Sequence, residues 1–133
     1  MAATPIFPAT PKVSWGNVLA ANTAYDGTGT TVQLFIAGAS GARVDSIKVK
    51  PLGTNAATVL RIFINNGSDP ATPANNSLFY ELTVPITTAA QAASLTEYEE
   101  VLDIALPAGY KLYGSVGTVI AAGLQVTVVG GDY

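Results

Sequence analysis

Apolar and polar residues alternate in short stretches along this chain, and turn-forming residues separate one stretch from the next. From Val44 to Leu52, for example, Ile47 and Val49 alternate with Lys48 and Lys50. A period of two places successive side chains on opposite faces of an extended strand. No comparable stretch has the apolar spacing of an amphipathic helix. The pattern therefore predicts β-sheets that bury one face and expose the other.

The alternation recurs often enough to predict about eight strands. They are expected near residues 13–19, 31–37, 44–52, 58–65, 78–84, 98–106, 110–116 and 124–128. The one candidate helix is the alanine-rich stretch 87–94, with room for about two turns. Short strands with long, irregular connections predict an all-β, antiparallel β-sandwich with the connectivity of a jelly roll. An immunoglobulin-like sandwich is the alternative, whereas irregular strand spacing disfavours a β-helix.

The N-terminal segment has a different composition from the rest of the 133 residues. Pro5, Pro8 and Pro11 fix the backbone and remove hydrogen-bond donors, so residues 1–11 are predicted to form an extended arm. Ile6 and Phe7 give the arm two large apolar side chains that could anchor it on a neighbouring surface. Residues 12–133 are then predicted to form one sandwich domain.

Charge and hydropathy exclude several classes of partner. The net charge is -3 with only six basic residues, so nucleic-acid binding is not expected. Apolar residues make up 49% of the chain, but no uninterrupted apolar run approaches the roughly 20 residues of a membrane-spanning helix. The first residues lack the pattern of a secretory signal. Without cysteine, stability must come from packing or oligomerisation.

Reactive side chains are scarce. Histidine and cysteine are both absent, which removes the usual general base, metal ligand and thiolate nucleophile. We therefore predict that the protein is not an enzyme and that it binds neither a cofactor nor a metal ion. The acidic cluster Glu97, Glu99, Glu100 and Asp103 could attract a cation, but we interpret it as a charged outer face that discourages edge pairing. The glycine-rich segment 26–30 lacks the spacing of a calcium loop or a phosphate-binding loop and is interpreted as a turn.

Large apolar side chains at outward positions would remain wet in a monomer and therefore predict an oligomer. In 58–65 the alternation directs Arg61 and Phe63 outward, and aromatic residues with one wet end are favoured at protein interfaces. The predicted interface residues, in the arm and among the exposed apolar and aromatic positions, are Ile6, Phe7, Val59, Phe63, Phe79 and Tyr133.

Several turn-and-strand motifs resemble those of a known group of proteins. They are YDGTG at 25–29, RVDSIKVKPLGTN at 43–55, TVLRIFINNG at 58–67, LPAGYKL at 106–112 and GGDY at 130–133. With these motifs the chain resembles small structural proteins of tailed phages and prophages, from about residue 20 to the end. The proline-rich arm is not part of the resemblance.

The resemblance implies a β-sandwich, commonly a homotrimer, that decorates or cements a phage capsid. Its expected partners are the major capsid protein and other copies of itself, and its expected location is the capsid surface of the virion after synthesis in the host cytoplasm. The alternative function is a receptor-binding head of a tail fibre or baseplate, in which loops at one end of the sandwich bind a host glycan. A carbohydrate-active enzyme is disfavoured, since one acidic strand cannot supply both sides of a glycosidase cleft.

Overall fold

The computed structural model describes residues 7–133, which form eight strands. These are β1 (Thr10–Val18), β2 (Val32–Ile36), β3 (Ala42–Pro51), β4 (Thr58–Asn65), β5 (Asn76–Val84), β6 (Tyr98–Leu106), β7 (Lys111–Val116) and β8 (Leu124–Asp132). A single 3-10 turn at Pro73–Asn75 is the only helical element within residues 7–133. The prediction of an all-β sandwich with about eight strands is confirmed.

The strands form two antiparallel four-stranded sheets. The first sheet has the order β1-β8-β3-β6, and the second has the order β2-β7-β4-β5. The pairing is nested along the chain, because β1 pairs with β8, β2 with β7, β3 with β6, and β4 with β5. Each sheet buries one apolar face against the other, as the period of two predicts.

The core between the sheets consists mainly of aliphatic side chains from the central strands. β3 contributes Ile47 and Val49, and β4 contributes Leu60 and Ile62. Tyr80, Tyr98 and Tyr110, predicted from the alternation to face inward, pack against this core while remaining partly exposed. The fully buried members from the other strands include Leu112, Val116, Leu124, Val126 and Val128.

The candidate helix over residues 87–94 does not form. Thr87 forms an antiparallel bridge with Asn55, and its Oγ1 donates a hydrogen bond to the Gly53 carbonyl at 2.8 Å. These contacts hold the start of the stretch extended. They outweigh the helix propensity of its alanines, which is worth only tenths of a kcal/mol per residue.

The boundary of the predicted arm also changes. Ile6 lies outside the described residues, but Thr10 and Pro11 already belong to β1, opposite Asp132 and Gly131 of β8. Pro11 is tolerated there because β1 is an edge strand, on which a missing N–H can face away from the sheet. The sandwich therefore begins at Thr10 and not at residue 12.

The outer face of the second sheet is covered, which the alternation did not predict. Phe63 of β4 lies opposite Tyr113 of β7, and both are buried outside the core between the sheets. The chain between β1 and β2 approaches this face, since the backbone N–H of Asn22 donates to the Val116 carbonyl at 2.8 Å. The prediction that Phe63 is exposed is wrong, because its side chain has 0% exposure.

Arg61 lies on the same covered face and was also wrongly predicted to point into solvent. Its Nε donates to Glu81 Oε1 at 2.9 Å, and its Nη1 donates to the Asn22 carbonyl at 3.2 Å. The Tyr25 ring lies 4.0 Å from the centre of the guanidinium. A buried cation needs such partners, and here one carboxylate, one carbonyl and one aromatic face supply them.

Asn55 ties together three connections at one end of the sandwich. Its Nδ2 donates to the Gly123 carbonyl at 2.9 Å, and its Oδ1 accepts hydrogen bonds from the N–H groups of Ala122 and Gly123 at 2.8 and 3.1 Å. Its backbone N–H donates to the Thr87 carbonyl at 3.1 Å. The side chain is buried, so water cannot easily replace these partners.

Phe63→Ala should lower the free energy of unfolding by about 3–5 kcal/mol, because it opens a cavity beneath the covering chain. The matched control is Phe79→Ala, since Phe79 is 40% exposed on β5 and its truncation should cost less than about 1 kcal/mol. Urea unfolding curves of the two variants give both values. If the two substitutions lowered the free energy of unfolding equally, Phe63 would not be buried in solution.

Asn55→Ala should lower the free energy of unfolding by roughly 2–3 kcal/mol, since it leaves buried backbone groups without partners at about 1–3 kcal/mol each. Asn66→Ala is the matched control because the hydrogen bond from Asn66 Nδ2 to Asn75 Oδ1 is exposed, and water can replace it. Thermal unfolding monitored by circular dichroism compares them. If Asn55→Ala lowered the free energy of unfolding no more than Asn66→Ala does, the hydrogen bonds of Asn55 would not hold the three connections together.

Candidate interaction surface

The described residues predicted to form an interface do not form one surface. Phe7 is 81% exposed near the N-terminus of β1, whereas Val59 is half-buried on the second sheet and Phe79 lies on its edge strand. Tyr133 is partly buried, and its N–H donates to the Gly41 carbonyl at 3.1 Å. Phe7 borders a hollow of about 360 Å³ that is also lined by Pro8, Pro11, Arg43, Asp45 and Gly130.

The acidic cluster is divided among separate partners. Asp103 forms an ion pair with Arg43, and Glu97 lies 3.7 Å from Lys48 Nζ. Asp103 has a φ of 51° at a register shift in β6, which interrupts the alternation that predicted a shared acidic face. Within residues 7–133, no three acidic side chains lie close enough together to hold a metal ion.

Two titratable groups have shifted pKa values, and each has a local cause. The pKa of Asp26 is lowered because Thr28 donates both its hydroxyl and its backbone N–H to the carboxylate. Burial raises the pKa of Tyr80, and the neighbouring Glu100 carboxylate raises it further. Asp26 therefore belongs to a closed turn, as predicted for residues 26–30, and Tyr80 to the margin of the core.

Four connections meet at the end of the sandwich opposite the N-terminus of β1. The register places Val18, the last residue of β1, beside Leu124, the first residue of β8, and Leu124 beside Pro51 at the end of β3. In the second sheet, Thr58 at the start of β4 lies beside Val84 at the end of β5. The segments that leave these strand ends are 19–24, 52–57, 85–96 and 117–123.

These four segments contain no charged residue. We call the surface that they form the charge-free end. All fifteen charged residues of the chain lie outside the four segments, and at the border Lys50 donates a hydrogen bond to the Leu95 carbonyl at 2.7 Å. The charge-free end is therefore a distinct region of the molecular surface.

Large aliphatic side chains are exposed on the charge-free end, one in each segment. Their exposed fractions are 39% for Leu19, 47% for Leu52, 72% for Ile86 and 68% for Val119. An exposed aliphatic residue by itself is ordinary, but several on an uncharged surface form a patch of the kind that binds a partner.

Hydrogen bonds between the segments hold the patch in place. The Ile120 N–H donates to the Leu19 carbonyl at 3.1 Å, and the Leu52 N–H donates to the Gly123 carbonyl at 3.0 Å. The Thr118 hydroxyl donates to the Ala57 carbonyl at 2.8 Å. Together with the contacts of Asn55, these bonds make the charge-free end a preformed surface.

This surface cannot be recognised from the apolar residues of any single strand or connection. The four segments are far apart along the chain, and only the strand order brings them together. One signal was available in the sequence: residues 19–24, 52–57, 85–96 and 117–123, which directly follow β1, β3, β5 and β7, carry no charge. Alternate connections of an antiparallel sandwich emerge at the same end, so their compositions could have been pooled.

Within residues 7–133 no helix has the length and apolar character needed to cross a membrane. Comparisons of the chain with protein-family models, curated proteins and solved structures found no match.

Proposed function

We propose that the protein is a non-enzymatic structural component of a phage virion, a decoration or cement protein that binds the capsid surface through the charge-free end. The observation that carries this proposal is the uncharged, preformed aliphatic patch described above. The resemblance of residues 20–133 to small phage structural proteins supplies the class of partner, the major capsid protein.

The composition of the charge-free end matches the centre of a protein interface. Interface centres are depleted of charged residues and exclude water around a few anchoring side chains. Ile86 and Val119, the two most exposed aliphatic residues there, are the proposed anchors. Because hydrogen bonds already fix the segments, binding would cost little additional ordering.

A protein partner fits this end better than a lipid surface or a nucleic acid. Peripheral membrane proteins add basic residues to their apolar face to attract anionic lipids, and nucleic-acid binding requires clustered cations. The four segments contain neither lysine nor arginine. They also lack the tryptophan and phenylalanine that commonly enter the membrane interface.

The N-terminal arm is proposed to bind neighbouring subunits of a homotrimer and not the patch on its own subunit. β1 spans about 30 Å, whereas the four residue steps from Thr10 back to Ile6 span at most about 14 Å. Ile6 therefore cannot reach the charge-free end of its own subunit, which lies beyond the other end of β1. Phe7 is already exposed at the base of the arm.

We also propose that the sandwich is a jelly roll. The nested pairing of strands 1 with 8, 2 with 7, 3 with 6 and 4 with 5 supports this assignment, since it is the pairing of one long hairpin folded over itself. The alternative function, a receptor-binding head on a tail fibre or baseplate, predicts a different location. An electron-microscopy reconstruction of the particle that carries the protein separates capsid from tail.

Val119→Lys should weaken binding to capsids by at least about tenfold, about 1.4 kcal/mol, because it forces a charge into an apolar interface. The measurement is co-sedimentation with capsids of the encoding phage that were purified without this protein. The matched control is Val101→Lys on β6, because Val101 is 70% exposed outside the charge-free end. Equal binding by the two variants, or no capsid binding by the unaltered protein, would reject the proposal.

Deleting residues 2–7 should leave the sandwich folded and weaken trimer formation. The deletion stops before Pro8 because Ala9 donates its backbone N–H to Asp132, and Thr10 begins β1. Light scattering should give three times the chain mass of 13.6 kDa for the full chain and a smaller mass for the deletion at the same concentration. An unchanged trimer would show that the arm does not join subunits.

A further inference from the structure

The outer face of the first sheet carries an exposed tryptophan among polar neighbours. Trp15 of β1 is 63% exposed, and it lies directly opposite Thr127 of β8. The next outward pair toward the charge-free end is Asn17 of β1 opposite Gln125 of β8. Side chains at such adjacent positions on one face are within reach of one ligand.

The polar groups of these four side chains are not engaged by the part of the chain that the structure describes. Within residues 7–133, the side chains of Trp15, Asn17, Gln125 and Thr127 neither donate nor accept a hydrogen bond. They contrast with the buried Asn55, whose side-chain groups are all engaged. The face therefore presents an indole surface and its N–H, two amides and a hydroxyl, all of which remain free to bind.

The two lysines on the same face are already engaged. Lys48 lies opposite Thr127 and pairs with Glu97 at 3.7 Å, and Lys50 lies opposite Gln125 and donates to the Leu95 carbonyl. A charged ligand would compete with these contacts, whereas a neutral ligand leaves them intact. Val13 and Val129, opposite each other beside Trp15, add apolar surface on the other side.

We propose that this face binds a neutral oligosaccharide, with Trp15 stacked against a pyranose ring. A pyranose has an apolar C–H face that fits an indole, and its rim carries hydroxyl groups that pair with amides such as those of Asn17 and Gln125. An aromatic platform flanked by a few polar groups offers a ligand both apolar contact and hydrogen bonds. Nucleobases also stack on aromatic residues, but the net charge of -3 opposes a phosphate backbone.

The site is separate from the charge-free end and does not depend on capsid binding. It also differs from a receptor-binding head that uses loops, because the proposed ligand lies across the strands β1 and β8. A decoration protein with such a face would carry many copies of a weak sugar-binding site, and multivalency would raise the overall affinity.

The test uses the isolated full chain, whose single tryptophan reports on this face alone. The fluorescence of Trp15 is followed during titration with hexasaccharides of β-1,4-linked glucose, β-1,4-linked N-acetylglucosamine and α-1,4-linked glucose. At least one should give a saturable emission shift at micromolar to millimolar concentration. The double substitution Asn17→Ala and Gln125→Ala should weaken that binding at least about tenfold, whereas Val119→Lys should leave it unchanged.

The variant Trp15→Ala has no tryptophan fluorescence, so its binding is measured by calorimetry. We expect it to release no heat on addition of the sugar. The absence of a response to all the hexasaccharides would overturn the proposal, as would binding that survives the double substitution. Light scattering tests the other possible occupant of this face, a second copy of the chain, by measuring the molar mass in solution. A dimer that Trp15→Ala abolishes, without any sugar response, would assign the face to a second copy of the chain and also overturn the proposal.

Discussion

Burial of aliphatic side chains between the two sheets is the interaction on which the rest of the structure depends. The chain has no cysteine to crosslink it, so the packing of residues such as Ile47, Leu60 and Val126 must hold the sheets together. The strand ends and their connections are consequently fixed relative to one another. Every surface discussed above takes its shape from this core.

The placement of charge follows from that construction. Most of the charged residues lie on strands, where they pair across the sheet, as Arg43 does with Asp103 and Arg61 with Glu81. In the four segments of the charge-free end, hydrogen bonds between backbone groups and to Asn55 engage polar groups without any charged side chain. An aliphatic surface can therefore remain exposed there without leaving the local backbone unpaired.

The sequence alone predicted the strands well, and β4 has the predicted bounds. It failed where a distant segment changed the surroundings of a strand. Phe63 and Arg61 have the spacing of outward residues, but the chain after β1 lies over them. The local sequence of β4 gives no indication of that contact. Leu78 has the spacing of an inward residue relative to Tyr80 and Leu82, yet the register shift beside Phe63 places it opposite that outward side chain.

The candidate surfaces were harder to predict than the strands for the same reason. Trp15 is the single tryptophan of the sequence, but its neighbours Thr127 and Gln125 lie more than a hundred residues away along the chain. The charge-free end requires four connections to be brought together by the strand order. Tertiary arrangement, and not local propensity, creates both surfaces.

The pairing of Thr10 with Asp132 places the beginning of β1 and the end of β8 side by side, at the end of the sandwich away from the aliphatic patch. In a copy that binds a partner through that patch, both strand ends would point away from the partner. A fluorescent label or a second domain attached beside either strand end would therefore leave the patch unobstructed.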